Sequence, residues 1–348
     1  MLNLIEKIMP TDKPAYDACI KRFDGIAKPI GALGAFEILL ARIAAITAST
    51  EINIKKKCVL VFCADNGVVK QGVTQSDYTV TTTIAKMLAN GTSSVCRMAK
   101  ATNADVIPVD IGMIDSVDGL LPRKLMHGTN DFSIEPAMKR TQAIEGIKTG
   151  ISMVEKYKTR GYSLIATGEA GIGNTTSAAA MSSALLNVSV EKVTGRGAGL
   201  SDSGLLRKQM IIKKALDINR PNSDDPIDVL TKVGGLDIAA MTGVFLGGAI
   251  YRVPVVMDGV ISAVAALTAV RICPLVRDFI LPSHESAEPA GVILINALEF
   301  SPVLHAGMRL GEGTGAVALF PLLDMAVAVY NSGATFLDLS MKAYTRNP

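Results

Sequence analysis

The sequence predicts an α/β protein built on a parallel sheet flanked by helices, with a small helical subdomain made from both chain ends. Three observations carry this. Short β-rich runs alternate with helical stretches, the pattern of βαβ units. Glycine is abundant, at 31 of 348 residues, while aromatics are 5% and Trp is absent, a mix that suits tight βα turns. The segments before the first β-rich run and after the last are helical.

Along the chain, "DACIKRFDGIA" opens the helical N-terminal region. The turn "KPIGALG" follows, punctuated by Pro29, Gly31 and Gly34, then the apolar-periodic "AFEILLARIAAIT". "CVLVFCADNG" (58–67) is the first strand run, and it ends in an Asp-Asn-Gly turn. "ADVIPVDIG" (104–112), "YSLIATGEAGIG" (162–173) and "VPVVMDG" (253–259) are the others. Helices are expected between them, as in "TVTTTIAKMLANG" and "IDVLTKVGGLDIAAMTGVFLGGAI". "MHGTNDFSIEPAM" (126–138) reads as a long loop, and "NRPNSDDP" (219–226) as a polar linker opening a helix. The expected division is a subdomain of residues 1–45 plus 325–348 and a catalytic domain of residues 46–324.

Composition excludes several classes. Lys and Arg number 35, Asp and Glu 32, for a net charge of +3 without basic clusters, so nucleic acid is not an expected partner. "MLNLIEKIMPTDKP" lacks the features of a secretory leader. The apolar runs are broken by charge or Pro, so core helices are expected and no membrane contact. Five Cys (19, 58, 63, 96, 273) form no CxxC pair and fit buried thiols in a reducing cytoplasm. His127, His284 and His305 share no ligand spacing, so neither a metal nor a cofactor is expected.

Two glycine loops carry chemistry. "ATGEAGIGNTTSAAA" runs from strand through glycines into a helix start. Gly171 and Gly173 let backbone N–H groups point inward, and Asn174 and Thr175 add donors at a positive dipole end. This is a seat for a phosphate, or else a tight turn with a Thr cap. "VTGRGAGLSDSGLLRK" places Gly195, Gly197 and Gly199 in a nest with Lys208 beyond it. Neither loop is a Walker loop or a dinucleotide fingerprint, and no paired acids precede a Gly/Thr loop. A monophosphate is the expected ligand.

In "RLGEGTGAVALFP", Glu312 stands between Gly311 and Gly313 before an apolar helix. It could cap a helix or pair with Arg309. The apolar context predicts instead a carboxylate facing a hydrophobic pocket, with its pKa raised toward neutrality for general-base work. Glu169, Glu288 and Asp258 are further acids near loops.

These motifs come in a recognisable order: "KPIGALGAFE", "FCADNGVVKQGVTQSDYTVT", "GEAGIGNTTSAAA", "GRGAGLSDSGLLRK", "GGLDIAAMTGVFLGGA", "PVVMDGVISAVAAL", "SHESAEP" and "RLGEGTGAVALFPLLD". Over residues 28 to 340 the chain resembles the nicotinate-nucleotide:5,6-dimethylbenzimidazole phosphoribosyltransferases of cobamide (vitamin B12) biosynthesis. The resemblance implies a Rossmann-like sheet. It implies transfer of ribose 5-phosphate from nicotinate mononucleotide to an aromatic base, giving an α-ribotide and nicotinate. It makes Glu312 the catalytic base, with Gly311 and Gly313 letting the ring come close, and sets Glu169 beside the ribose. It gives the phosphate to Gly171, Gly173, Asn174, Gly195 and Gly197 with Lys208 nearby. It puts Asp258 and Ser286 at the nucleotide end, and Gln75, Thr83 and Leu310 at the acceptor. Family enzymes are dimers that share site residues, and "KPIGALG" is expected at that contact.

The chain departs from the family pattern at Asn66, where a His is usual, at Ser76-Asp77 and Thr83, and at Ala290-Gly291. The expectation is that these changes surround the acceptor. A benzimidazole is the main reading. Phenol or p-cresol, used by a heterodimer of related subunits, is the alternative, because a phenol lacks a second ring nitrogen. A non-catalytic partner subunit is a more distant one, opposed by Glu312 and both loops. A nicotinamide oxidoreductase would need the missing fingerprint.

Overall fold

A computed structural model describes residues 2–346, so Met1, Asn347 and Pro348 of the expected end subdomain lie outside the described residues. Six strands form one sheet: β1 (Lys57–Ala64), β2 (Ala104–Gly112), β3 (Leu121–Pro122), β4 (Leu164–Ala170), β5 (Val255–Met257) and β6 (Ile280–Pro282). Their order is β3-β2-β1-β4-β5-β6, and every neighbouring pair is parallel. All four expected strands are present. The sequence reading did not anticipate β3 and β6, which are two and three residues long and too short to show a period.

Every residue of β1 and β4 is buried, because helices cover both faces. The alternation of side chains splits β1 between two cores. Leu60 and Phe62 join the helices Arg140–Thr159, Leu236–Tyr251 and Val260–Ile272 on one face. Val59, Val61 and Cys63 join Lys13–Gly25, Ala35–Thr47 and Thr314–Ser332 on the other. The helices from the two chain ends therefore share a core with the sheet. Thr314–Ser332 is the one helix among the described residues long and apolar enough to cross a membrane, and half of its apolar window is buried in the protein.

One expected helix is two. "IDVLTKVGGLDIAAMTGVFLGGAI" breaks at Gly234-Gly235 into Pro226–Val233 and Leu236–Tyr251. The break places Asp237 in the first turn of the second helix. That helix is fixed by backbone contact: a Cβ on Gly150 would lie 1.9 Å from the Ala240 carbonyl oxygen. The chain runs outward to both sides from β1 and β4, so a ligand crevice is expected beyond their carboxyl ends.

Candidate active site

A cleft of about 260 Å³ lies there, walled by the loops after β4, β5 and β6 and by residues 309–312. One end is built of glycine loops. β4 stops at Ala170, and Gly171 to Gly173 turn the chain into the helix Asn174–Leu186. Gly171 is required because a Cβ would sit 2.6 Å from the Ala64 carbonyl oxygen, and Gly173 adopts φ 92°. Two side chains pin the turn. Asn66 Nδ2 donates to the Ile172 carbonyl at 3.2 Å, and Thr81 Oγ1 accepts the Ile172 N–H at 3.1 Å.

The second loop meets the first through Lys208. Its ammonium, almost wholly buried, donates to Thr175 Oγ1 at 2.9 Å and to the Gly195 carbonyl at 3.2 Å. Burial pulls its pKa down to about 8, against the opposing pull of Glu288. Gly197 and Ala198 line the cleft. Lys208 stands behind this wall and ties the loops together. Gly195 faces an adjoining depression that shares Gly197, Ala198, Glu288, Arg309 and Leu310 with the cleft.

The other end is acidic. Glu169, on β4, is buried, and its pKa is pushed up to about 8, first by desolvation and then by the nearby Asp237 carboxylate. Asn174 Nδ2 donates to Glu169 Oε2, and also to Asp237 Oδ2 at 3.0 Å. Asp237 is fully buried, which raises its pKa to about 6. Asp258, at the end of β5, is raised by burial and drawn back by His284; its Oδ1 accepts the Ala316 N–H at 3.0 Å. That bond ties β5 to the start of Thr314–Ser332, just past Glu312.

Glu312 lies between Gly311 (φ 88°) and Gly313 (φ 89°) and itself has φ 60°. A left-handed non-glycine costs of order 1–3 kcal/mol and persists where its surroundings impose it. Glu312 Oε2 accepts the Val95 N–H at 3.2 Å, at the start of the helix Ser94–Ala101. The expectation of a carboxylate sealed in apolar surroundings is corrected: Glu312 is half-buried in the wall, and complete burial falls on Glu169 and Asp237. The flanking glycines also serve differently than expected. A Cβ on Gly311 would lie 2.4 Å from Glu169 Oε1, and one on Gly313 2.6 Å from Val59 Cγ1. They let the loop press on β4.

Of the other site residues read from sequence, Asp258, Ser286 and Leu310 line the cleft with Gly171, Gly173, Asn174 and Thr175. Gln75 and Thr83 do not. Gln75 is exposed and donates to the Gly199 carbonyl; the cleft is lined by Thr74 instead. Thr83 is exposed, with its hydroxyl bonded back to Thr79 O, and Ile84 of the same helix faces the cleft. The departures from the family pattern are likewise not gathered around one ring. Asn66 supports the glycine turn from below, and Asp77 accepts the Thr79 N–H at a helix start. Asp237 and His284 were missed. Each sits in a quoted motif, and an acid opening a helix after Gly-Gly was the available signal for Asp237.

Known proteins are similar to this chain in sequence and fold. The phosphoribosyltransferase family model matches residues 8–339. A nicotinate-nucleotide–dimethylbenzimidazole phosphoribosyltransferase of Acetivibrio thermocellus is 46% identical over 346 residues, 99% of each chain. One from Ruminiclostridium cellulolyticum is 46% identical over 326 residues, 93% of each. The crystal structure of CobT from Thermus thermophilus superposes with a TM-score of 0.90 at 33% identity, covering 95% of this chain and 100% of that one. The two sequence relatives are named for dimethylbenzimidazole, and the phenolic alternative gains no support from them. The chain belongs to the nicotinate-nucleotide–dimethylbenzimidazole phosphoribosyltransferase family.

Proposed function

We propose that this chain transfers ribose 5-phosphate from nicotinate mononucleotide to 5,6-dimethylbenzimidazole or a related benzimidazole, giving an α-ribotide and nicotinate for cobamide synthesis. The observation that carries it is one cleft with opposite ends, N–H donors and Lys208 at one, Glu312 over Glu169 at the other. The nucleotide phosphate goes to the glycine loops and the ribose to Glu169. Asp258 and Ser286 hold the nucleotide end.

The bond between ribose C1′ and the pyridinium nitrogen breaks, and its electron pair stays on that nitrogen. Nicotinate leaves with a neutral ring, so departure needs no general acid. An acceptor ring nitrogen donates its lone pair to C1′. The proton on the other ring nitrogen passes to Glu312. Glu312, ionised until it takes that proton, favours the positive charge that develops at C1′.

The division into residues 46–324 and the two ends belongs to the same reading, because every residue lining the cleft falls between Thr74 and Glu312. A cytoplasmic dimer of identical chains is the assembly it expects, and five free cysteines fit that compartment. The test is nicotinate release from nicotinate mononucleotide with 5,6-dimethylbenzimidazole and p-cresol in parallel. Release with the benzimidazole is expected. Release with p-cresol alone would replace the acceptor, and release with neither would overturn the reading.

A further inference from the structure

We propose that Asp237 is a positioning residue of this site: with Asn174 it keeps Glu169 protonated, so that Glu169 offers the ribose an O–H in place of a carboxylate. Only the identity of what Glu169 touches rests on the function proposed above.

The geometry begins at one nitrogen. Asn174 Nδ2 carries two hydrogens, and it donates to Glu169 Oε2 and to Asp237 Oδ2. The two carboxyl groups come from different elements, β4 and the helix Leu236–Tyr251. Asp237 is 0% exposed and Glu169 8%. The buried cation of the site does not reach them, because Lys208 is bonded to Thr175 and Gly195. Two carboxylates sharing one neutral donor away from water cannot both be charged.

The surroundings decide which of them holds the proton. Asp237 lies in the first turn of a 16-residue helix and accepts the Ile238 N–H at 2.9 Å, where the helix dipole favours an anion. Glu169 has no such support. It faces Asp237 from that helix, Asp258 from just past β5 and Glu312 from the 309–313 loop. Cys63 of β1, also near, is a thiol kept protonated by burial, and Asp65 lies beyond Asp237. Of the basic residues lining the cleft, His284 acts on Asp258, and the charges that act on Glu169 beside Arg309 are those of Asp237, Asp258 and Glu312, so the proton resides on Glu169. The order of the two pKa values, about 8 for Glu169 and about 6 for Asp237, agrees.

The position of the proton follows. Oε2 is taken by Asn174, so the hydrogen is on Oε1, the oxygen beneath Gly311 in the cleft wall. There it donates to a ribose hydroxyl oxygen. No proton is transferred: it stays on Glu169 through the reaction. A carboxyl that already holds its proton cannot take the acceptor's, which leaves that proton to Glu312. Asp237 is absent from the cleft wall and acts only through Glu169.

The experiment has two arms. The first is an infrared difference spectrum of free wild-type enzyme against Glu169→Gln at neutral pH. A protonated-carboxyl band should be present and should vanish as pH rises past about 8. No such band would overturn the proposal whether or not the enzyme turns over. The second is kcat/KM against pH. Asp237→Asn removes the like charge and should move the alkaline limb down by about one pH unit or more. Glu169→Gln should lower the rate and abolish the limb. A limb unmoved in Asp237→Asn, or retained in Glu169→Gln, would reduce Asp237 to a structural role. A band without nicotinate release would sink the proposed reaction and leave the protonation of Glu169 standing.

Discussion

The two ends of the cleft are held by opposite means. At the proposed phosphate end the wall is largely glycine loop, with Thr175, Ser286 and Glu288 beside it, and a buried cation, Lys208, stands behind it, tying Thr175 to Gly195. At the proposed ribose end the wall is side chain, with Glu169, Asp258 and Glu312 converging from β4, the residue after β5 and the 309–313 loop. The difference matches the charge of the proposed ligand. A phosphate is met by N–H groups that are fixed and cannot lose their protons. A sugar carbon that turns positive is met by acids whose proton count can be tuned. The phosphate end should therefore govern binding and the acidic end turnover.

Removing the proposed base tests this most strongly. Glu312→Gln should cost about 10²–10⁴-fold in turnover while nucleotide affinity, read by calorimetry, holds within about threefold. Turnover near wild type would mean that the acidic end moves no proton.

Lys208→Ala should do the reverse, weakening nicotinate mononucleotide binding about 10–100-fold, because the two loops lose the charge-assisted bonds that tie Thr175 to Gly195. Its pKa, lowered to about 8 in the free enzyme, gives a second check. Above that pH the amine is neutral, and binding a phosphate beside it must take up a proton. The heat of binding at about half a unit above that pKa should then depend on the buffer's ionisation enthalpy.

A third variant presses the 309–313 loop. A Cβ on Gly168 would lie 2.5 Å from the Glu312 carbonyl oxygen. Gly168→Ala should lower stability by about 1–3 kcal/mol, read as a fall in melting temperature, and slow turnover more than it weakens binding. Equal losses in both would show that the two ends are not independent.

Glu169 links the acidic end to stability. Its folded pKa, raised from 4.5 to about 8, means that the native state keeps a proton the unfolded chain has lost. The stabilisation is full below 4.5 and is lost as pH rises toward 8. The melting temperature of wild type should fall across this window more steeply than that of Glu169→Gln. The smallest effect is expected at Asn66. Asn66→Ala loses one bond to the glycine turn, worth about 1 kcal/mol, so nucleotide affinity should drop several-fold. The ratio of benzimidazole to p-cresol activity should not change. A changed ratio would return Asn66 to the acceptor.

Much of the fold was legible because its signals are local. The run "CVLVFCADNG" is apolar through its strand because β1 is covered on both faces, and a run of that kind shows in one dimension. "AFEILLARIAAIT" shows its helical period in full, and the helix Ala35–Thr47 has those bounds. β6 did not show, since three residues carry no period. At the site, the glycine turn after β4 was legible from its composition. The misplacement of Thr83 has a simple cause: the neighbouring Ile84 faces the cleft, and which side of a helix faces a pocket depends on what the helix packs against.

The sequence by itself determined the parallel α/β architecture, the two glycine loops and the family, because strand runs, turn glycines and ordered motifs are short-range properties of the chain. Tertiary structure alone decided the electrostatics. Asp237, distant in the chain from Glu169 and Asn174, meets them only because β4 ends beneath the start of the helix Leu236–Tyr251. Burial and like-charge proximity set a carboxyl's proton affinity, and both are properties of neighbours in space. That is why the sequence assigned the desolvated acid to Glu312, beside an apolar run, while the fold gave the burial to Glu169 and Asp237.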